Sequence, residues 1–249
     1  MKPVNSPDTE ERQLRIDLAA AFRLAADFNW HESVGNHFSV TISPGSRKFL
    51  MNPRWMHFSR ISANDLLLLD ADDNIVMEGS SPPDPSAWAI HSRLHARLPH
   101  VRCLLHLHPP YSTALASLAD PELKPIDQNT ARFYNRIAID TSYGGIADDR
   151  EEGERLADVL GNGSIMLMGN HGVLVAGESI AQAFDDLYFL ERAAQTMILA
   201  YSTGQPLNIM VPELAERTAR DWENYKGMPV AHLEELKLIL DGRDPSYAM

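Results

Sequence analysis

The sequence predicts an α/β fold, a layered sheet with helices on both of its faces. Two observations carry this. Segments with helical apolar spacing bracket the chain, and between them lies a block of short apolar runs bounded by Gly, Pro, Asn and Asp. No internal repeat or low-complexity linker divides the 249 residues. Residues 1–13 read as a polar, mobile lead-in and 14–205 as one domain. Residues 206–249 read as a helical extension of that domain.

The first helix is expected from Glu10 to Phe28, because Leu14, Leu18, Ala21, Phe22 and Ala25 recur on one face. Strands are expected at Phe38–Ile42, Lys48–Met51, Leu66–Leu69 and Ile75–Met77, separated by Pro44-Gly45 and by a turn over Asp70–Asn74. Ser86–Leu98 reads as a helix with Ser86 as its cap, and Val101–Leu107 as a buried strand stopped by Pro109-Pro110. A short helix over Tyr111–Leu118 leads into a polar connection, Asp120–Asn135. Strands follow at Ile137–Ile139, Ile165–Met168 and Val173–Val175, with a helix at Asp149–Leu160 between the first two. The long helix Ser179–Tyr201 keeps Ala183, Leu187, Leu190, Ala194 and Ile198 on one face. The helices Pro212–Tyr225 and Val230–Leu240 complete the chain.

Composition narrows the function. A hydrophobic fraction of 44% and a charged fraction of 22% are ordinary for a globular protein. A net charge of −12 without any Lys/Arg cluster argues against nucleic-acid or anionic-membrane partners. The apolar runs are too short to span a bilayer, and the polar N-terminus has no signal-peptide core. The single cysteine, Cys103, falls in a buried strand as a small core residue, so a reducing cytoplasm is expected.

The chemistry concentrates in His106-Leu107-His108. Side chains alternate along a strand, so both imidazoles share a face while Leu107 turns into packing. Two imidazoles at a strand end can grip one cation, and His171, in Gly169-Asn170-His171-Gly172, offers a third ligand. The flanking glycines allow close backbone approach. Imidazole suits zinc, iron, manganese or cobalt, and three ligands leave positions open for a substrate.

Gly35-Asn36-His37-Phe38-Ser39, the stretch from Asn52-Pro53 to Asp65-Leu66, the helix Trp88–Leu98, the histidine pair and Asn170-His171-Gly172 occur in that order. Together they resemble the class II aldolase/adducin family over about residues 14–205, and its adducin-like bacterial branch more than the sugar-phosphate aldolases. The resemblance implies a three-layer α/β/α fold with a central, mostly antiparallel sheet, one divalent metal, and a homo-oligomer, commonly a tetramer with sites at subunit boundaries. It maps the metal ligands onto His106, His108 and His171, a substrate-binding asparagine onto Asn36 and a phosphate-binding serine onto Ser86. The departures are informative. Ala87 stands where the aldolases carry the glutamate that is both ligand and base. Arg54-Trp55 replaces a phosphate-gripping Thr-Gly pair, Pro85 replaces a second serine, and Gln128 replaces a site tyrosine.

A site of three neutral imidazoles leaves the cation its full charge and favours a chelating anion. The expected function is therefore a metal-dependent lyase acting on a small hydroxy- or oxo-carboxylate through a metal-stabilised enolate, by decarboxylation or aldol cleavage. Arg54 and Arg132 are expected to clamp the carboxylate, with Asn36, Ser86 and Gln128 as further substrate contacts. Tyr134, Tyr143 and Asp84 are candidate acids. His91 and His95 read as a helix face, with His91 supporting the site from behind, and His37 as a structural residue beside Asn36. Two other readings are an iron(II) oxygenase on the same histidines and a non-catalytic adducin-like interaction module.

Overall fold

Eight strands join in one sheet among the residues that the structure, a computed structural model, describes: 7–71, 75–78, 81–145 and 149–249. They are β1 (His37–Thr41), β2 (Lys48–Met51), β3 (Leu67–Asp70), β4 (Ile75–Glu78), β5 (Cys103–Leu107), β6 (Ile137–Asp140), β7 (Ile165–Met168) and β8 (Gly172–Gly177). Their spatial order is β4-β3-β2-β1-β5-β8-β7-β6. Every neighbouring pair is antiparallel except β6 and β7. That parallel pair needs a crossover, and α5 (Arg150–Leu160) supplies it.

Strand alternation divides the core into two faces. On β5, Cys103, Leu105 and Leu107 pack with Leu18 and Phe22 of α1 (Pro7–Asp27) and with Phe184, Leu187 and Leu190 of α6 (Ile180–Ser202). Leu104 faces the other way, toward Ile90 and Leu94 of α2 (Pro85–Arg97) and Leu156 and Leu160 of α5. A smaller cluster of Phe49, Met51, Leu67, Leu69 and Ala87 continues beneath α2. The result is the expected α/β/α layering. Phe22 shows why α1 stays seated: its ring stacks on Phe38 and meets Phe58 edge-on, both at 4.6 Å. Burying one such side chain contributes about 1.5–3 kcal/mol.

The remaining helices are α3 (Pro110–Ala116), α4 (Gln128–Arg132), α7 (Pro212–Glu223) and α8 (Met228–Asp241). Leu233 and Leu240 of α8, and Tyr247 beyond it, belong to the same core as α1 and α6. Arg12 donates to the Ala248 carbonyl at 2.6 Å, tying the C-terminal segment to α1. No described helix is long and apolar enough to cross a membrane. Cys103 is buried, and desolvation raises its thiol pKa far above the ordinary value.

Several boundaries differ from expectation. α1 begins at Pro7, so the lead-in expected over 1–13 is helical from there, while residues 1–6 lie outside the described set. Residues 72–74 of the turn expected over Asp70–Asn74 also lie outside it. The connection expected over Asp120–Asn135 contains α4. Asp127 accepts from the Thr130 N–H, and the Thr130 hydroxyl in turn accepts from the Asp127 N–H, which closes a cap no apolar period announces. Asp84, not Ser86, caps α2, with Pro85 at the first helical position.

Candidate metal centre

The ends of β5 and β7 and the beginnings of β1 and β8 converge at one end of the sheet's interior strands. β5 carries His106 there, and His108 follows just past the strand. His171 comes round from β7 through Asn170, whose φ of 56° makes the left-handed turn, and its N–H donates to the Met168 carbonyl at 3.1 Å. Gly172 is required beside it: a Cβ there would overlap the His108 ring and lie 2.7 Å from the Leu107 carbonyl. A Cβ on Gly169 would come within 2.8 Å of the Asp140 carbonyl. The small residues therefore do set the close approach.

One ring nitrogen from each of His106, His108 and His171 falls within 4.8 Å of the others. Ring centroids stand 4.7–5.2 Å apart. His106 Nδ1 lies 3.0 Å from the Val173 carbonyl, which can only accept, so the proton sits on Nδ1 and Nε2 keeps its lone pair. His108 donates from Nδ1 to Glu32 Oε2 at 2.8 Å, which likewise leaves Nε2 bare. That Nε2 is buried and has no hydrogen-bond partner among the described residues. An orphaned buried acceptor needs a ligand. Burial also disfavours protonation of two of the rings: desolvation lowers His171 to about 4 and His106 well below the ordinary imidazole value. Bare, convergent nitrogens fit a divalent cation.

A row of polar groups runs behind this cluster, between β1 and α2. His37 is the register partner of His106, with the rings 4.9 Å apart. Its Nδ1 lies 2.8 Å from His91 Nε2. His91 Nδ1 then lies 2.6 Å from Ser39 Oγ, which is 2.7 Å from His95 Nε2. All four side chains are buried. Desolvation lowers His37 and His95 to about 3 and His91 well below its ordinary value.

The other expected site residues divide. Tyr143 joins the cluster, its exposed ring 5.9 Å from His171. Asn36 (φ 70°) precedes His37, but its Oδ1 accepts from the Glu32 N–H at 2.8 Å and shapes the loop. Arg54 lays its guanidinium 4.1 Å over the exposed Trp55 ring, without a carboxylate partner among the described residues. Ser86 donates its hydroxyl to Asp84 Oδ1 at 2.7 Å, and the same oxygen accepts from the Ser86 N–H, so both serve the α2 cap.

Three expectations are corrected within the chain. Arg132 is no carboxylate clamp: it is buried and donates to Asp185 at 2.6 Å and Asp186 at 2.7 Å, a tie that already consumes its charge. Tyr134 precedes β6, at the strand end away from Asp140 and the histidines. Gln128 is exposed and lines a groove with Met210, Leu214, Trp222 and Tyr225, apart from the histidines.

The sequence model for the class II aldolase and adducin N-terminal domain matches residues 16–198. The chain belongs to the class II aldolase and adducin family. A crystal structure of an aldolase II superfamily protein from Pseudomonas syringae superposes with a TM-score of 0.90, at 30% identity over 99% of this chain and 98% of that one. An adducin-related protein of Schizosaccharomyces pombe is 29% identical over 96% of this chain and 77% of its own length. L-fuculose 1-phosphate aldolase from Glaciozyma antarctica shares the fold, with a TM-score of 0.85 at 22% identity over 99% and 96% of the two chains.

Within this class II aldolase-type fold, the sequence reading set His91 behind the site but missed Glu32 and the link through Ser39 that joins His37, His91 and His95. Glu32 lies 76 residues from His108 in an irregular loop that carries no pattern. The row left one signal: His37, Ser39 and Thr41 put three polar groups on one face of a strand that is buried on both sides.

Proposed function

We propose that this protein is a divalent-metal-dependent lyase that breaks a C–C bond in a small hydroxy- or oxo-carboxylate. The observation that carries the reading is the convergence of His106, His108 and His171 with the His108 Nε2 buried and unpartnered. The cation they would hold supplies Lewis acidity toward a carbonyl oxygen. Glu32 keeps His108 in the ligating tautomer, and the Val173 carbonyl does the same for His106. Ala87, a buried residue of α2, brings no carboxylate to the set, so the bound cation attracts an anionic chelator more strongly than a four-ligand site would. Arg54 is the carboxylate clamp, with its planar fork uncommitted and backed by Trp55. Tyr143 is the proton donor, as the candidate tyrosine beside the histidines.

A tetramer and a cytoplasmic setting complete the reading. Family membership supports the first, and the single buried cysteine supports the second. The test loads metal-free protein with zinc, manganese, cobalt or iron(II) and screens hydroxy- and oxo-carboxylates against sugar phosphates. Metal-dependent turnover of a carboxylate, lost in His106→Ala, is expected. Efficient cleavage of sugar phosphates alone would overturn the substrate class. Coupled oxygen uptake would replace the lyase with an oxygenase. Failure to bind any metal would leave an interaction module.

A further inference from the structure

Glu32 reaches His108 from a loop that lies between the end of α1 and the start of β1. Ser33 (φ 52°) and Asn36 (φ 70°) stand there in the left-handed region, which residues other than glycine seldom adopt. Inside the loop, the Glu32 N–H donates to Asn36 Oδ1 and the Gly35 N–H to the Glu32 carbonyl, both at 2.8 Å. These bonds set its curvature without fixing it to the rest of the molecule. Asn52 steadies the far end, donating to the Asn36 carbonyl at 3.4 Å. His31 steadies the end that carries Glu32. Its ring stacks on the buried Phe58 ring at 5.3 Å, and its Nε2 lies 3.0 Å from His57 Nε2.

Two imidazole nitrogens at that distance share one proton, and the other side of His57 shows which ring owns it. His57 caps the short turn Phe58–Arg60, where the Ser59 backbone N–H donates to His57 Nδ1 at 3.2 Å. A backbone N–H can only donate, so Nδ1 is the bare nitrogen, and the Ser59 hydroxyl at 2.8 Å donates to it as well. In the neutral ring the proton is then on Nε2, and His57 donates to His31 Nε2. His31 in turn carries its proton on Nδ1, which is buried and has no partner among the described residues. The bond to His57 is therefore the one that holds the His31 ring in place.

We propose that His57 is a positioning residue of the metal centre: through His31 it fixes the loop that holds Glu32 against His108, and so keeps His108 Nε2 free to ligate. This role rests on the metal reading of the three histidines and is independent of the substrate class.

Two replacements separate the two nitrogens of His57. Asparagine ends where Nδ1 stands, so His57→Asn keeps an acceptor for the Ser59 N–H and loses the bond to His31. Glutamine reaches to the position of Nε2, so His57→Gln keeps a donor for His31 and loses the cap. Zinc affinity is read by chelator competition at pH 8, where free imidazole is neutral. It should fall about tenfold in His57→Asn and stay within about twofold of wild type in His57→Gln. Equal losses in both variants, or full affinity in His57→Asn, would overturn the proposal. Combining His57→Asn with Glu32→Gln should weaken zinc no further than Glu32→Gln alone, because both changes act through His108. Multiplying losses would show that His57 acts by another route. In metal-free protein with ¹⁵N-labelled histidine, His108 is assigned through His108→Gln. NMR should show its Nδ1 protonated in the wild type and in His57→Gln, and a mixture of tautomers in His57→Asn. An unmixed His108 in His57→Asn would equally refute the role. Failure of the wild type to bind zinc would sink the metal reading, and the spectra would still decide whether His57 anchors Glu32.

Discussion

The two ends of the sheet bury polar side chains by opposite strategies. At one end lie His106, His108 and His171, backed by the His37 row. At the other, in a cavity lined by Arg132, Asp185, Asp186 and residues of β7 and β8, the guanidinium is shared between two carboxylates. His232 from α8 adds a contact to Asp185 at 2.7 Å. The Arg132 end is charged and paired: Nη2 donates to both carboxylates, Nη1 is buried without a partner among the described residues, and the set ties α4, α6 and α8 together. The histidine end instead leaves bare acceptor nitrogens. Removing the cation of the charged cluster strands buried carboxylates, whereas a cluster with spare lone pairs is built to take up something more.

Acid should separate the two ends most strongly. Free imidazole titrates near 6.5, while His37, His95 and His171 are lowered to about 3–4 and His91 and His106 well below the ordinary value. Below pH 6.5 the unfolded chain binds protons that the folded one refuses. Stability is thus full above that pH and is lost as the pH falls toward 4, at up to about 1.4 kcal/mol per ring per pH unit. Urea midpoints at pH 7, 6 and 5 should fall steeply. A flat series would show that these rings are not held neutral.

Arg132→Ala comes next. It leaves Asp185 and Asp186 buried beside each other without their cation, and about 3–5 kcal/mol of stability should be lost. Zinc stoichiometry, read by elemental analysis, should not change. A change in bound zinc would break the separation of the two ends.

Glu32→Gln should act at the histidine end alone. It weakens the hold on the His108 tautomer, and zinc affinity measured by chelator competition should fall about 10–100-fold. Thermal stability of the metal-free protein should stay within about 0.5 kcal/mol, because Glu32 is exposed. Unchanged affinity would remove Glu32 from the centre. The smallest structural effect belongs to Tyr143→Phe. The ring is half exposed, so folding and zinc binding should match the wild type, while turnover of the substrate found in the screen should drop. Undiminished turnover would free Tyr143 of the donor role.

Much of this architecture was readable from the order of residues. Short apolar runs bounded by turn residues located every strand of the sheet to within two residues, because a strand buried on both faces is apolar along its length and stops where the turn residues begin. The pairing of His106 with His108 followed from strand alternation, and the glycines around His171 announced a tight approach that the strand spacing then demanded. The α4 helix was not readable, since five residues held by one capping exchange leave no repeat. Arg132 was misread for a related reason. An arginine in a polar connection looks the same whether it awaits a substrate or already faces Asp185 and Asp186, 53 and 54 residues further along.

Local periodicity and ligand chemistry, both written along the chain, were sufficient for the layered fold and the three imidazoles, and a resemblance in the order of motifs for the family. Partnership was not, because it depends on which distant groups share a buried space. Folding brought Glu32 to His108, put Asp185 and Asp186 around Arg132, and lined up His37, His91, Ser39 and His95. A hydrogen bond is specified by angle and separation at the ångström scale, and only the closed packing of strand against helix sets those.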